Sequence, residues 1–453
     1  MTLLAHGLGG VRDLPVPTSF FYTTAAVVLI VSFVLLGGLW KKPILERRAR
    51  GTGLPGWLQA VILSRALRIV LQTCSVFLLG LTVATSLFGT DVVLLNFAPT
   101  FVYVIFWLGL PLLSALFGNV WSVLSPWRAI ADATVWTMER LGFQARPVLD
   151  SPWTWGRYPA AAALFAFVAL ELTHPSPSAP RILGIAVSLY TYWALAGMAV
   201  YGRETWTRYG EGFAVAFGLI ARIAPFAVRD GKVVVRWPFS GLAGAERERG
   251  TLVFVAVMLG STSFDGFSRT SEWQDLMSGV RSGLVESSQR TIDLATMGTN
   301  LVGLSVFVLA VVLTYSLAVT VMRWLVHYPR SLGPEFVLSL VPIAFAYMVA
   351  HYFSLFLIQG QFIITLASDP FGRGWDLFGT IDFAPNLAVV SPEAVWYVQV
   401  ASLTIGHVAG LAIAHDRAVG LFDNRRDALR SQYPMLALMV LYTVGGLWFL
   451  SHS

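Results

Sequence analysis

Two of the seven histidines, His351 and His407, lie inside long runs free of Asp, Glu, Lys and Arg. A third polar feature, GSTSFDGF at 260–267, places Ser261, Thr262, Ser263 and Asp265 at the end of another apolar run. Ionisable groups at membrane depth are costly in lipid, so each is a functional candidate by default. Asp265 with its hydroxyl neighbours offers oxygen ligands or a general base. His351 sits midway along 336–366, about 22 Å from either end at the helical rise. Tyr347 and Ser354 share its face at i−4 and i+3, and Gln359 and Gln361 follow.

His407 and His415 belong to IGHVAGLAIAHDRA. Eight residues apart on a straight helix, they are separated by about 12 Å along the axis, so one ion cannot take both. His407 falls at a depth similar to His351. His415 and Asp416 fall at the membrane boundary and read as a helix-end anchor. Gly406, Gly410 and Ala414 make a small-residue stripe that permits close helix packing.

These residues need elements to hold them. The chain has 453 residues, 56% hydrophobic and only 12% charged, half the share of roughly 25% usual in soluble domains. Mean hydropathy is +0.68. Such a chain could not solvate its surface as a soluble enzyme, a disordered protein or a nucleic-acid binder. The reading is an all-α polytopic transmembrane helix bundle of about ten spans, near 18–40, 69–90, 98–120, 156–173, 182–202, 250–268, 300–322, 336–366, 394–415 and 434–451, together one integral membrane domain.

With the N-terminus outside, 25 of the 31 Lys and Arg fall on inside segments and 6 outside. That asymmetry is a positive-inside signal, so the net charge of +6 reports topology first and attraction to anionic lipid second. Both termini then lie outside, and the location is the plasma (inner) membrane of a bacterium. The first residues, including His6 and Arg12, lack a basic n-region and a cleavage site. They read as a short external segment rather than a signal peptide. A single cysteine, Cys74, excludes an internal disulfide.

Several segments lie outside the spans. The segment 203–250 reads as a cytoplasmic or interfacial element. TWTRYGEGFAVAFGLIARIAPF forms a helix in the headgroup plane, or alternatively a re-entrant one, and KVVVRWPF follows as a short strand. Residues 269–300 form an external amphipathic segment with Trp273, Leu276, Val280 and Leu284 on one face. Asp369, Arg373 and Asp376 sit in SDPFGRGWDLFGTIDFAP and read as turn and loop-holding residues. Glu171 and His174 fall near an outer helix end and read as solvated. The uncharged stretch before Asp265 is too short to span unless that residue lies inside the protein, which points to a discontinuous helix. The short repeats NFAP/DFAP and SPW/SPW read as chance matches. GTGLPG at 51–56 is not a dinucleotide site, because no strand precedes it.

AHGLGG with RDLPVP, WSVLSPWRAI, TSFDGF, SDPFGRGWDLFGT and GHVAGLAIAHDRA together resemble the actinobacterial membrane proteins named fenitrothion hydrolase, over nearly the whole chain. The resemblance implies hydrolysis of organophosphate-like esters. Such chemistry needs an activated water and charge stabilisation at phosphorus, which a divalent metal such as zinc supplies. His351, His407 and Asp265 are the candidate catalytic and metal-binding set. The alternative is a metal- or proton-coupled transporter using the same residues, acting on a small-molecule substrate or ion. A third reading is a subunit that associates with a partner in a larger membrane complex. Membrane lipids are partners under every reading.

Overall fold

The computed structural model describes residues 18–144, 146–149 and 153–452. The N-terminal segment with His6 and Arg12, the first two residues of the second SPW, and Ser453 lie outside the described residues. The chain is an all-α polytopic membrane bundle. Among the described residues eight helices are long and apolar enough to cross a membrane, and a bent pair makes a possible ninth span.

The principal helices are α1 (Thr18–Leu39), α2 (Arg65–Phe88), α3 (Phe97–Phe117), α4 (Tyr158–Thr173), α5 (Pro180–Tyr201) and α6 (Gly212–Ile220). They continue with α7 (Thr251–Phe267), α8 (Ser271–Ser282), α9 (Gln289–Val326), α10 (Gly333–Ser368), α11 (Pro392–Leu421) and α12 (Tyr433–His452). Local chemistry sets several starts. Side-chain oxygens of Ser64, Ser288 and Ser391 cap α2, α9 and α11 by accepting from backbone N–H groups of the first turn. α4 has 16 residues, shorter than the roughly 20 needed for a full span. α9 starts at Gln289, eleven residues before the apolar span near 300, and reaches about 57 Å at the helical rise.

Small residues let the helices approach. A Cβ on Gly406 would lie 2.3 Å from the Ala346 Cβ, and one on Gly410 would lie 2.6 Å from the Ser339 carbonyl oxygen. α10 and α11 therefore pack through the stripe visible in the sequence. Gly260 does the same for α7 against α9, where a Cβ would meet the Val308 Cα at 2.8 Å.

On the arginine-rich side, β1 (Thr52–Gly53), β2 (Phe226–Arg229) and β3 (Lys232–Val235) form a small antiparallel sheet in the order β1–β3–β2. Asp230 and Gly231, both at positive φ, close the β2–β3 hairpin, as a two-residue turn of that hand requires.

Two surface readings are corrected by burial. α6 is covered by protein rather than exposed on the bundle surface: every residue of it except Gly218 is buried. A helix apolar on all sides is stable only in an interior, and α6 inserts among the other helices. α8 is amphipathic, but its buried face is Trp273 and Met277, while Leu276 is exposed. The face turns because Trp273 docks edge-on against Phe264 and donates to the Asn300 Oδ1 at 3.1 Å.

Candidate functional site

α7 runs straight through the polar cluster and ends just past it. The bend to α8 is 77° across the break Ser268–Thr270. Asp265 lies one turn before this break and is 3% exposed. Its Oδ1 accepts from the Arg269 guanidinium at 2.8 Å, an i, i+4 pair on one helix. Its Oδ2 lies 2.8 Å from His351 Nε2 and accepts from the Tyr352 hydroxyl at 2.9 Å. The His351 and Tyr352 rings meet edge to face. Gly266 lies against Phe449 of α12, where a Cβ would stand 3.2 Å from the Phe449 Cβ, with the His351 ring in ordinary contact at 3.9 Å. The result is a carboxylate surrounded by a guanidinium, an imidazole and a phenol inside the bundle.

Beside this centre lies a cavity of about 20 Å³, room for one water. Glu171, Ser261, Thr262 and Tyr352 are among its walls. Glu171 is therefore not simply solvated at an outer helix end. It faces an internal space and is an electrostatic neighbour of both Asp265 and Tyr352. α4 turns this acid inward because α6, α7 and α9 enclose it. His174 remains at the end of α4, where its Nδ1 accepts from the Ser176 backbone in a turn.

The sequence candidates do not converge on one point. His407 is fully buried, its Nδ1 donates to the Leu403 carbonyl at 2.7 Å, and its Nε2 has no hydrogen-bond partner. Among the described residues no group of three His, Cys, Asp or Glu side chains is placed to hold a metal ion. His351 and Asp265 thus form a pair, while His407 stands apart from them. A shared depth does not imply a shared site.

His415 and Asp416 anchor the other end of α11. Asp416 accepts from the Trp40 indole at 2.9 Å and from the backbone N–H groups of Ile44, Leu45 and Glu46 at 2.5 to 3.0 Å. His415 lies between two acceptors, the Gln432 Oε1 and the Trp40 carbonyl, each at 2.9 Å. The Gln432 amide in turn donates to the Ala428 carbonyl, so the imidazole is held at both nitrogens. In the loop 369–386, Asp369 accepts from the backbone of Arg373 and Gly374, and Asp376 from that of Ile381. Arg373 donates to the Phe88 carbonyl. These three residues hold turns.

Arg269 and Tyr352 were not singled out by sequence reasoning. Arg269 carried a usable signal, since it stands four residues after Asp265. Tyr352 did not, because adjacent residues on a helix point about 100° apart. Comparison of the chain with known families, characterised proteins and solved structures finds no match. Chemically, one buried carboxylate is shared between a guanidinium, an imidazole and a phenol.

Proposed function

We propose that the chain is a proton-coupled membrane transporter with Asp265 and His351 as its proton-binding centre. One observation carries this reading: the Asp265 carboxylate, buried at a helix break, bonds Arg269 through one oxygen and His351 and Tyr352 through the other. Protonating it removes the charge that holds Arg269 at the bend, so proton binding and the α7–α8 geometry are linked. Broken helices and intramembrane ionisable groups are the common parts of such sites. Among the described residues no group of three His, Cys, Asp or Glu side chains is placed to hold a metal ion, so the reading takes a proton as the bound ion. The charge asymmetry supports a reading in which the arginine-rich face is the cytoplasmic one and the membrane a bacterial plasma membrane.

The test uses the protein in vesicles loaded with a pH-sensitive dye. Fractions of a low-molecular-mass cell extract are added to one side. Solute-dependent proton movement, absent from protein-free vesicles and from Asp265→Asn, supports the reading. Absence of any solute-dependent movement in correctly folded wild type, across all fractions and both orientations, overturns it.

A second reading follows from the same pair. A carboxylate beside an imidazole also positions a general base, which keeps hydrolysis of organophosphate-like esters, the activity implied by the resemblance, open to test. The adjoining cavity admits a water but not a triester, so the substrate would have to reach His351 by another face. Release of nitrophenol from a phosphate triester by wild type, lost in His351→Gln, would favour this reading over transport.

A further inference from the structure

A second cavity, separate from the Asp265 centre, opens between α2, α3, α4 and α5 with a volume of about 990 Å³. This is the upper end of the roughly 300–1,000 Å³ range of small-molecule sites. Its walls run from Phe101 to Leu116 on α3, about 22 Å at the helical rise. That exceeds the depth of one leaflet, about 15 Å in a 30 Å hydrocarbon core.

Among the described residues no charged side chain lines this chamber, and apart from the weakly polar Cys74 thiol its polar side chains are already engaged. Ser75 and Thr82 donate to carbonyls of their own helix. The Trp121 indole and the Tyr190 hydroxyl donate to Glu211, and the Trp127 and Trp193 indoles donate to Thr191 and Gly210. The walls therefore offer little to a polar ligand, and the body of any occupant is apolar.

One end differs. Trp127 lines it, and the next residue, Arg128, has Arg68 and Arg203 as electrostatic neighbours. Arg68 stands one turn before Leu71, where the α2 wall begins. Glu204 bonds Arg128 and Arg203, and Asp132 bonds Arg203. Three guanidinium groups against two carboxylates leave this rim positive.

We infer that the chamber is a binding site for an anionic glycerophospholipid, with acyl chain in the apolar body and phosphate at Arg68 and Arg128. The chamber also borders the acid centre. Phe356 lines it one helical turn from Tyr352, and the Cβ position of Gly109 is 3.5 Å from the Phe356 ring. The intervening wall, Phe101–Gly109, is wound with wide i→i+5 turns, a form often found at functional sites. It turns Phe106 to the chamber and Trp107 to the small cavity.

Lipid retention tests this directly, without reference to transport or hydrolysis. Delipidated full-length protein is exposed to vesicles of equal phosphatidylglycerol and phosphatidylcholine, re-isolated and examined by native mass spectrometry. Wild type is expected to retain one phosphatidylglycerol. Ala166→Trp and Leu113→Trp fill the chamber from α4 and α3, and each should weaken retention by roughly tenfold or more while melting like wild type. The pair of fillers covers the case in which one does not fold. Arg68→Glu combined with Arg128→Gln should abolish the preference for phosphatidylglycerol. Retention unchanged in a folded filling variant, or no lipid retained by wild type, overturns the site. Equal retention of both lipids by wild type overturns the assignment of an anionic headgroup.

Discussion

The Nε2 atom of His351 and the Oδ2 atom of Asp265 meet at 2.8 Å, joining α10 to the broken end of α7. The same oxygen accepts from Tyr352, so neither partner can change protonation without altering the other's hydrogen bonds. In a low-dielectric interior such coupling is strong.

Replacing either member of the pair should remove function while leaving the bundle assembled. Asp265→Asn and His351→Gln keep size and hydrogen-bonding capacity. Solute-dependent proton movement should fall by roughly two orders of magnitude, the usual scale for losing a positioned acid or base. Tyr352→Phe removes only one donor and should act more weakly. Equal activity of Asp265→Asn and wild type in the vesicle assay would show that the carboxylate takes no part.

Glu171 makes a second, milder prediction. It faces the water-sized cavity that Tyr352 also lines. Glu171→Gln should slow proton movement without abolishing it, and Glu171→Asp should restore part of the loss. If Gln and Glu at this position give the same rates, the cavity is structural.

The α10–α11 contact should be intolerant of bulk. Gly406→Leu and Gly410→Leu would each drive a side chain into Ala346 or the Ser339 carbonyl. Overpacking of this kind costs about 1–3 kcal/mol, visible as a lowered melting temperature in detergent. Gly80, with nothing within 4 Å of its Cβ position, is the control, and Gly80→Ala should melt like wild type. Similar melting of Gly410→Leu and Gly80→Ala would contradict the close approach.

Asp416 should behave as an anchor. Asp416→Ala leaves the Trp40 indole and the Ile44, Leu45 and Glu46 amides without their acceptor, a loss of about 1–3 kcal/mol for each that stays buried. Hydrogen exchange should accelerate at residues 44–46 and remain slow near Asp265. Protection unchanged at 44–46 would rule the anchor out.

Much of the architecture was readable from one dimension. Uncharged runs mark the long helices because unsatisfied backbone and buried charge are both costly in lipid. The short run before Asp265 signals a broken helix, and the bend falls at Ser268–Thr270. Gly406 and Gly410 announce a close contact by spacing alone. The His415–Asp416 cluster is an anchor, as its place at a helix end suggests.

The composition of the site was less legible. Helical spacing reports the depth and face of a residue on its own helix, but not which other helix that face meets. His351 and His407 read from sequence as similar in depth, yet His351 meets Asp265 of α7 whereas His407 bonds its own helix at Leu403. Glu171 looks like a helix-end acid until α6, α7 and α9 close around it. α6 reads as either a headgroup-plane or a re-entrant helix, and burial of all its residues but Gly218 makes it part of the interior. By itself, then, the sequence determined a membrane-spanning helical chain with costly polar groups at known depths, because lipid penalises charge residue by residue. Only the tertiary structure decided which of those groups touch, because the rotation and pairing of helices are set by packing between segments far apart in the chain.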